Sequence, residues 1–567
     1  MSEQGLSLNQ DARKRLDERI GKICKKHKVQ GASVGLMGKD GPLYINTYGV
    51  VDDTGTKNTP SHKMMIGSNT KILTALAVLT LKDGGKLSLD ADIHEYLPDF
   101  SIKRRFEARP ITVRHLLMHV SGIPSDDWDL ITNPALSLKA CLEVLKDEYL
   151  TALPETMFAY SNIGYGLLGL IIEHVSGMPY TDYLAKHVLR PLGLSVEIID
   201  DDADLAASEG PLSWGFDKKK KACKDLLSNL ISAGSSTYAS LEDMLALLKF
   251  FLNHEKQSLL EEDTMQEMLT PPKAAWTLPE GMKVGLGLMH RKAPYYHQDA
   301  GPFIGHGGAT IYHHSLFDFS LEHGFGITVL TNSERGAQAA YRISNALAIE
   351  AFRAIGIELP ETPPKIGDAE EAVDHSIGKD YVTPSMKLPG TVKKGEPRLK
   401  YGPLPFALKL QRDGYYQAAP RGLSRLPFFK DTIKRLRFKS ATIAGEEVLF
   451  LEQRLDYRHD VVPFAAPFEA SECPDAWEAA LGDYEVVNEN PVLRKLCEKA
   501  RVKRKDGDLV LSLKLLNRKY KHHLKVLNDS EAVVQGHGRD ALGTVFLEKR
   551  DGDIHLRHKG LLLKKRR

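Results

Sequence analysis

Cysteine is scarce in this chain, and both long hydrophobic runs and a large excess of one charge are missing. The 567 residues include 5 cysteines, an odd number with no CxxC pair, which argues against a disulfide framework and a zinc motif. No run reaches the roughly 18 consecutive apolar residues that a membrane span needs. The formal net charge of +2 points to no particular partner. We therefore expect a soluble globular protein in a reducing compartment.

The two ends of the chain are polar. Residues 1–29 predict an amphipathic helix with Leu16, Ile20 and Ile23 on one side, and they contain no apolar core of a signal peptide. The prediction is a cytoplasmic protein with no membrane partner. The basic tail RHKGLLLKKRR and the lysine run at 217–221 have no interleaved aromatic residues, so we expect solvated segments and no nucleic-acid partner.

Predicted strands lie at both ends of the first 357 residues, with predicted helices between them. A hairpin is expected over ASVGLMGKDGPLYINTYGVV, and residues 68–270 predict mostly helices. Three strand-like runs follow, namely VGLGLMH, GGATIYHHSLFDF and GFGITVLTN, and then a long helix. The simplest arrangement of these elements is one sheet, built from both ends of the region, with a helical lobe inserted between them. The predicted fold class is therefore α/β (α+β), an antiparallel sheet flanked by helices.

A different pattern begins after a stretch rich in proline and acidic residues, 358–377, which predicts a linker. Short alternating apolar runs such as VLFLEQRL and TVFLEKR then predict an all-β module, 378–567, of barrel or sandwich type. The similar segments GKDY and LGDY suggest two units near 378–472 and 473–567. Chance similarity explains so short a match equally well.

An apolar helix with a lysine in its first turn is the strongest chemical signal. In GSNTKILTALAVLTL, Ser68 and Lys71 lie three residues apart and therefore on one helix face. Serine is a weak nucleophile until a neighbour removes its proton, and lysine can do so when burial lowers its pKa. The alternative is a helix cap beside a snorkelling lysine. The pattern alone is weak evidence, because Ser376 and Lys379 match it in a segment with no helical pattern.

Two other segments contain groups that this chemistry needs. Tyr160 and Asn162 precede a helix, where the phenol can share the base role and the amide can hold both lysine and substrate. The glycines of GHGGAT, leading into a strand, let a backbone edge approach a ligand. There, His306 either faces the substrate or satisfies a strand edge. No histidine cluster has convincing ligand spacing, so we expect no metal and no cofactor.

With these motifs in order, the chain resembles the serine β-lactamase and penicillin-binding-protein-like hydrolases, specifically the class C-like branch of esterases, D-aminopeptidases and transesterases. The resemblance runs from about residue 10 to about residue 355, through GSNTK, LLMHVSGIP, YSNIGYGLLGLIIE, AGSSTYASLEDM, GHGGAT and VLTNS. It implies a β-lactamase/transpeptidase-like fold. The all-β module is similar, more weakly, to the lipocalin-like barrel of some members.

The resemblance also implies roles for individual residues. Ser68 would be the nucleophile, Lys71 and Tyr160 the general base pair, and the backbone N–H groups of Ser68 and Ala309 the oxyanion hole. The implied substrate-binding residues are Asn162, His306, Gly307 and Gly308. One departure is His306, which stands where β-lactamases usually have a lysine that helps to bind the substrate carboxylate.

This departure favours small-molecule esters, thioesters or amides over β-lactams. We expect a serine hydrolase that forms an acyl-enzyme at Ser68. Two alternatives remain open. The first is an acyltransferase that passes the acyl group to an alcohol or amine, as in secondary metabolism. The second is an inactive scaffold whose β module binds a partner, and the presence of all three motifs argues against it. The acyl group, the acceptor and the oligomeric state do not follow from the sequence.

Overall fold

The computed structural model describes residues 6–133, 136–199, 208, 210–223, 234, 237–292, 300–359, 366–369, 375–454, 459–505, 507–515 and 518–567. Most of the predicted linker, and residues 233, 235 and 236 of the AGSSTYASLEDM segment, lie outside this set. The described residues form a sheet-and-helix region followed by two all-β units.

Among its described residues, the first region contains twelve strands, five of them only two residues long. They are β1 (Gly31–Gly38), β2 (Pro42–Gly49), β3 (Met64–Met65), β4 (Glu197–Ile198), β5 (Gly215–Phe216), β6 (Ala222–Cys223), β7 (Thr237–Ala239), β8 (Lys283–Val284), β9 (Met289–Arg291), β10 (Phe303–Ala309), β11 (His314–Ser320) and β12 (Phe325–Thr331). Seven form one antiparallel sheet in the order β2-β1-β12-β11-β10-β9-β8. Since β1 and β2 precede the helical stretch at 70–269 and the other five strands follow it, both ends of the region build this sheet, as predicted.

The helices of this region are α1 (Gln10–His27), α2 (Thr70–Asp83), α3 (Val113–Leu117), α4 (Trp128–Thr132), α5 (Ala140–Leu145), α6 (Asn162–Ser176), α7 (Tyr180–Leu184), α8 (Leu241–Leu252), α9 (Glu262–Leu269) and α10 (Gly336–Ala354). Asn9 caps α1. The buried residues of α1 recur at every fourth position, so one stripe of the helix faces the core. That stripe shares an apolar cluster with α10 and the sheet. The long apolar helices α2 and α6 lie in a second cluster, which forms the helical lobe.

Two of the predicted strands are wrong, because VGLGLMH runs from the end of β8 into β9 and GGATIYHHSLFDF runs from the end of β10 into β11. Strand β10 ends at Ala309 and β11 begins at His314. Between them the Thr310 N–H donates to the His313 carbonyl at 2.9 Å, and the Thr310 hydroxyl accepts from the His313 N–H at 3.0 Å. This local turn reverses the chain. GHGGA therefore lies inside β10, not before a strand.

The first all-β unit is a nine-stranded antiparallel sheet with one helix of eight residues, α11 (Pro427–Lys434). Its strands are β13 (Tyr381–Thr383), β14 (Met386–Leu388), β15 (Gly390–Lys393), β16 (Glu396–Tyr401), β17 (Leu404–Leu410), β18 (Tyr416–Pro420), β19 (Leu436–Ile443), β20 (Glu446–Arg454) and β21 (His459–Pro467). They are ordered β14-β13-β21-β20-β19-β18-β17-β16-β15.

The second all-β unit is a closed barrel, preceded by α12 (Asp475–Ala479) and with α13 (Pro491–Leu496) after its first strand. Its strands are β22 (Gly482–Val486), β23 (Cys497–Lys505), β24 (Asp508–Leu515), β25 (Arg518–Val526), β26 (Glu531–Val534), β27 (Thr544–Arg550), β28 (Asp553–His558) and β29 (Leu561–Lys565). Each strand pairs with the next along the chain, and β29 returns to β22.

This architecture confirms the predicted fold class of sheet, helices and C-terminal all-β module. The segments GKDY and LGDY each lead into the first strand of an all-β unit, at Tyr381 in β13 and Tyr484 in β22. Over the described part of the chain, no helix has the length and hydropathy to cross a membrane.

Candidate active site

Ser68 lies in a short 3-10 turn, Gly67–Asn69, directly before α2. The turn is fastened to β11, because the Asn69 amide donates to the Ser315 hydroxyl at 2.6 Å, which donates to the Ile66 carbonyl at 2.6 Å. Gly67 has φ +53°, and a Cβ added there would lie 2.7 Å from the Ala309 nitrogen. A glycine at this position therefore brings the serine turn against the end of β10.

Lys71 is the second residue of α2, and its side chain is fully buried in the lobe. Its Nζ lies 3.5 Å from Ser68 Oγ and donates to Asn162 Oδ1 at 2.6 Å and to the Gly234 carbonyl at 2.7 Å. Burial, with a smaller effect of the Arg539 charge, holds the pKa of Lys71 well below its usual range. Two acceptors satisfy both N–H groups of a neutral amine, which leaves its lone pair for the serine.

The Asn162 side chain connects Lys71 to a buried carboxylate. Its oxygen accepts from Lys71, and its nitrogen donates to Asp126 Oδ1 at 2.6 Å. Because a carboxylate only accepts, this arrangement fixes the amide with its oxygen towards the amine. Both ends of the predicted substrate-binding amide thus have protein partners in the structure, and its contact with substrate stays a prediction.

The Tyr160 ring centroid is 4.9 Å from Lys71 Nζ, and Ser68 is among the groups that act on the Tyr160 phenol. Burial raises the pKa of this phenol, so it is neutral at physiological pH. His119 holds the segment: its carbonyl accepts from the Ala159 N–H at 2.9 Å and its Nδ1 from the Ser161 N–H at 3.0 Å. The His119 and Tyr160 ring centroids are 4.1 Å apart. His119 therefore positions the segment that carries Tyr160.

Strand β10 supplies the third predicted segment. His306 is 2% exposed, its ring centroid is 6.2 Å from that of Tyr160, and burial lowers its pKa to about 3. Its ring is therefore neutral. A Cβ on Gly308 would lie 1.8 Å from the Ile66 carbonyl oxygen, whereas one on Gly307 would meet nothing closer than 3.8 Å. Ala309 is the exposed last residue of the strand, beside the serine turn.

The closed barrel reaches this site through Arg539, in the loop between β26 and β27. Its Nε and Nη2 donate to Asp126 Oδ2 at 2.9 and 2.7 Å, and its guanidinium carbon lies 5.4 Å from the Tyr160 ring centroid. The Asp126 side chain is 2% exposed and that of Arg539 is 48% exposed. The guanidinium thus covers a buried carboxylate at the edge of the site.

Neighbouring barrel residues form hydrogen bonds with the loop that contains Asp126. The Ser125 hydroxyl donates to Asp540 Oδ1 at 2.6 Å, and Lys559 contacts both Ser125 and Asp540. The Trp128 N–H donates to the Lys559 carbonyl at 2.9 Å, and the Trp128 ring packs on the barrel core. These contacts fix the loop against the barrel.

The second Ser-x-x-Lys match lies in the nine-stranded unit. Ser376 is in a 3-10 helix, His375–Gly378, and Lys379 pairs with Glu447 at 2.5 Å. The structure thus brings Ser68, Lys71, Tyr160, Asn162, His306 and the glycines of β10 together and places Ser376 elsewhere. Sequence reasoning missed Asp126, Arg539 and the Gly234 carbonyl.

Over the part of the chain that the structure describes, no group of three or more His, Cys, Asp and Glu side chains is arranged to hold a metal ion. All five cysteines are free, and three of them are buried.

The Beta-lactamase family model matches residues 12–351. Protein flp of Staphylococcus aureus (strain N315) is 36% identical over 192 residues, which is 33% of this chain and 38% of that protein. The match therefore spans well under half the length of this relative.

Two of the solved structures with a similar fold illustrate the likeness. The crystal structure of SurE has a TM-score of 0.58 and 22% identity, covering 81% of this chain and 99% of that one. The octameric penicillin-binding protein homologue from Pyrococcus abyssi has a TM-score of 0.53 and 20% identity, covering 97% of this chain and 99% of that one. At these identities the likeness concerns the fold alone.

Proposed function

The chain belongs to the Beta-lactamase family, whose members are generally serine hydrolases, and we propose that it forms an acyl-enzyme at Ser68 and cleaves esters, thioesters or amides of small molecules. The observation that carries this proposal is the position of Lys71. Its amine is buried, has both N–H groups engaged, and lies 3.5 Å from Ser68 Oγ.

In the first step the Lys71 amine takes the Ser68 proton as Oγ attacks the carbonyl carbon of the substrate. The developing oxyanion is received by the backbone N–H groups of Ser68 and Ala309, which the contact of Gly67 with the Ala309 backbone brings near each other. The Asn162 and Gly234 oxygens then hold the new ammonium, since both already accept hydrogen bonds from this nitrogen.

Tyr160 completes the proton path. Its neutral phenol lies beside Lys71, and in this proposal it gives a proton to the departing alcohol, thiol or amine. It regains a proton from Lys71, whose Nζ is 4.9 Å from the Tyr160 ring centroid, and the acyl-enzyme is left for water. Lys71 and Tyr160 thus act as a coupled pair.

The charge of the site supports neutral substrates. The neutral, buried His306 provides no fixed positive charge in the third motif, and the Arg539 guanidinium is paired with Asp126. A substrate carboxylate would therefore meet little net attraction. Activated short-chain esters require less of the site, since a good leaving group lowers the barrier.

The test is turnover of a series of p-nitrophenyl esters from acetyl to hexanoyl, with the acid product quantified in the presence and absence of a competing amine. We expect ester turnover that depends on Ser68, with the free acid as main product. Turnover no higher than that of Ser68→Ala would contradict the proposal. A product that is mainly the amide would favour the acyltransferase alternative.

A further inference from the structure

We propose that Arg539 of the closed barrel is a positioning residue of the active site, which neutralises Asp126 so that Lys71 remains available as an unprotonated base. This inference rests on the proposed function, because it takes Lys71 as the base of acylation. It gives the C-terminal barrel a part in the chemistry of the first region.

A continuous chain of hydrogen bonds joins the barrel to the amine. Arg539 donates twice to Asp126 Oδ2, Asp126 Oδ1 accepts from the Asn162 amide at 2.6 Å, and Asn162 Oδ1 accepts from Lys71 Nζ at 2.6 Å. One amide group thus separates the carboxylate from the base. A change in the charge of Asp126 therefore changes the pKa of Lys71.

The titratable groups that face Lys71 divide into neutral and charged ones. They are Asp126, Arg539, His119, His306, Tyr160 and Tyr165. Burial lowers the pKa of both histidines and raises the pKa of both tyrosines, so these four are neutral near pH 7. Asp126 and Arg539 are left as a pair of opposite charges.

The two charges act on Lys71 in opposite directions. The Arg539 cation lowers the pKa of Lys71 and the Asp126 carboxylate raises it. If Arg539 were removed, a carboxylate only 2% exposed would lose its cation, and the Lys71 amine, which is joined to it through Asn162, could supply positive charge. Lys71 would then hold its proton to higher pH.

The barrel fixes Arg539 through its neighbour in the chain. Asp540 binds Ser125 and Lys559, and the Lys559 carbonyl accepts from the Trp128 N–H at 2.9 Å. The residue next to Arg539 is therefore held against the loop that contains Asp126, which fixes the backbone from which Arg539 reaches this carboxylate. A barrel that only bound a partner would not need a cation at this position.

The experiment is the pH dependence of kcat/KM for an uncharged p-nitrophenyl ester, measured in the full chain. In the wild type, kcat/KM should rise with pH along an acidic limb as Lys71 loses its proton. We expect Arg539→Met to move this limb upward by about one pH unit. At pH values below the limb its kcat/KM should then be about tenfold lower than that of the wild type, and at high pH the two should be equal. Arg539→Lys, which keeps the charge, should leave the limb near its original position. Asp126→Asn combined with Arg539→Met should return the limb towards the wild-type pH, because both charges are then absent.

Arg557→Met is the matched control. Arg557 belongs to the same barrel and pairs with the buried carboxylate of Glu148 at 2.5 Å, but it is not among the groups facing Lys71. Its substitution should lower the melting temperature without moving the limb.

An unmoved limb in Arg539→Met, or a loss of rate equal at all pH values, would overturn the inference while leaving Ser68 catalysis intact. A change confined to KM for a carboxylated ester would instead make Arg539 a substrate contact. If the ester is not turned over through Ser68 at all, the proposed function fails first.

Discussion

Gly308→Ala tests whether the serine turn and β10 must lie in direct contact. The new Cβ would stand 1.8 Å from the Ile66 carbonyl oxygen and 2.3 Å from the Ser315 hydroxyl, so the strand and the turn must separate by about 1 Å or more. The Ile66 carbonyl accepts from the Asn69 N–H at 3.2 Å and immediately precedes the turn that carries Ser68. The separation therefore opens the space between the Ser68 and Ala309 N–H groups.

Removing one oxyanion donor typically costs about 10²- to 10³-fold in kcat, and we expect a loss of that size with a stability cost of about 1–3 kcal/mol. The assay is kcat for a short-chain p-nitrophenyl ester, with urea unfolding monitored in parallel. Gly307→Ala is the control, since its Cβ meets only the Ser315 carbonyl at 3.8 Å; it should remain folded and lose less than about tenfold. A Gly308→Ala enzyme with wild-type kcat would refute the proposed oxyanion hole.

Three other predictions concern the base, the nucleophile and the substrate. Because the pKa of Lys71 is lowered and the neutral amine is the active form, kcat/KM should rise with pH through that lowered pKa. Lys71→Arg should be nearly inactive, because a guanidinium does not lose its proton at working pH. An active Lys71→Arg enzyme would remove Lys71 from the base role. Ser68→Ala should lose several orders of magnitude in kcat, whereas Ser376→Ala should keep wild-type turnover; equal, folded inactivity of both would show that the assignment is wrong. Short-chain esters should exceed penicillins in kcat/KM, and His306→Lys should raise β-lactam acylation modestly; a wild-type preference for the penicillin would contradict the reading of His306.

The sequence made the local parts of the site predictable. Ser68 and Lys71 are one helical turn apart, and Tyr160 and Asn162 flank one helix start, so spacing alone places each pair together. The sequence also predicted that both ends of the region build one sheet, because β1 and β12 are rich in apolar residues. In the structure every position of both strands is buried.

The distant parts were beyond sequence reasoning. Arg539 is 413 residues from Asp126, and no periodic pattern relates a barrel loop to a loop of the helical lobe. The Gly234 contact is made by a backbone carbonyl, which any residue possesses. The turn between β10 and β11 contains none of the Gly, Pro or Asn residues that usually signal a hairpin. Its hydrogen bonds are instead made by Thr310.

The central claim is a covalent acyl intermediate on Ser68. Its most direct measurement is mass spectrometry of the intact chain quenched during turnover of an activated ester, followed by peptide mapping of the adduct. We predict one acyl group per chain, on the peptide that contains Ser68, and none in Ser68→Ala. An adduct that persists in Ser68→Ala, or maps to Ser376, would contradict this account.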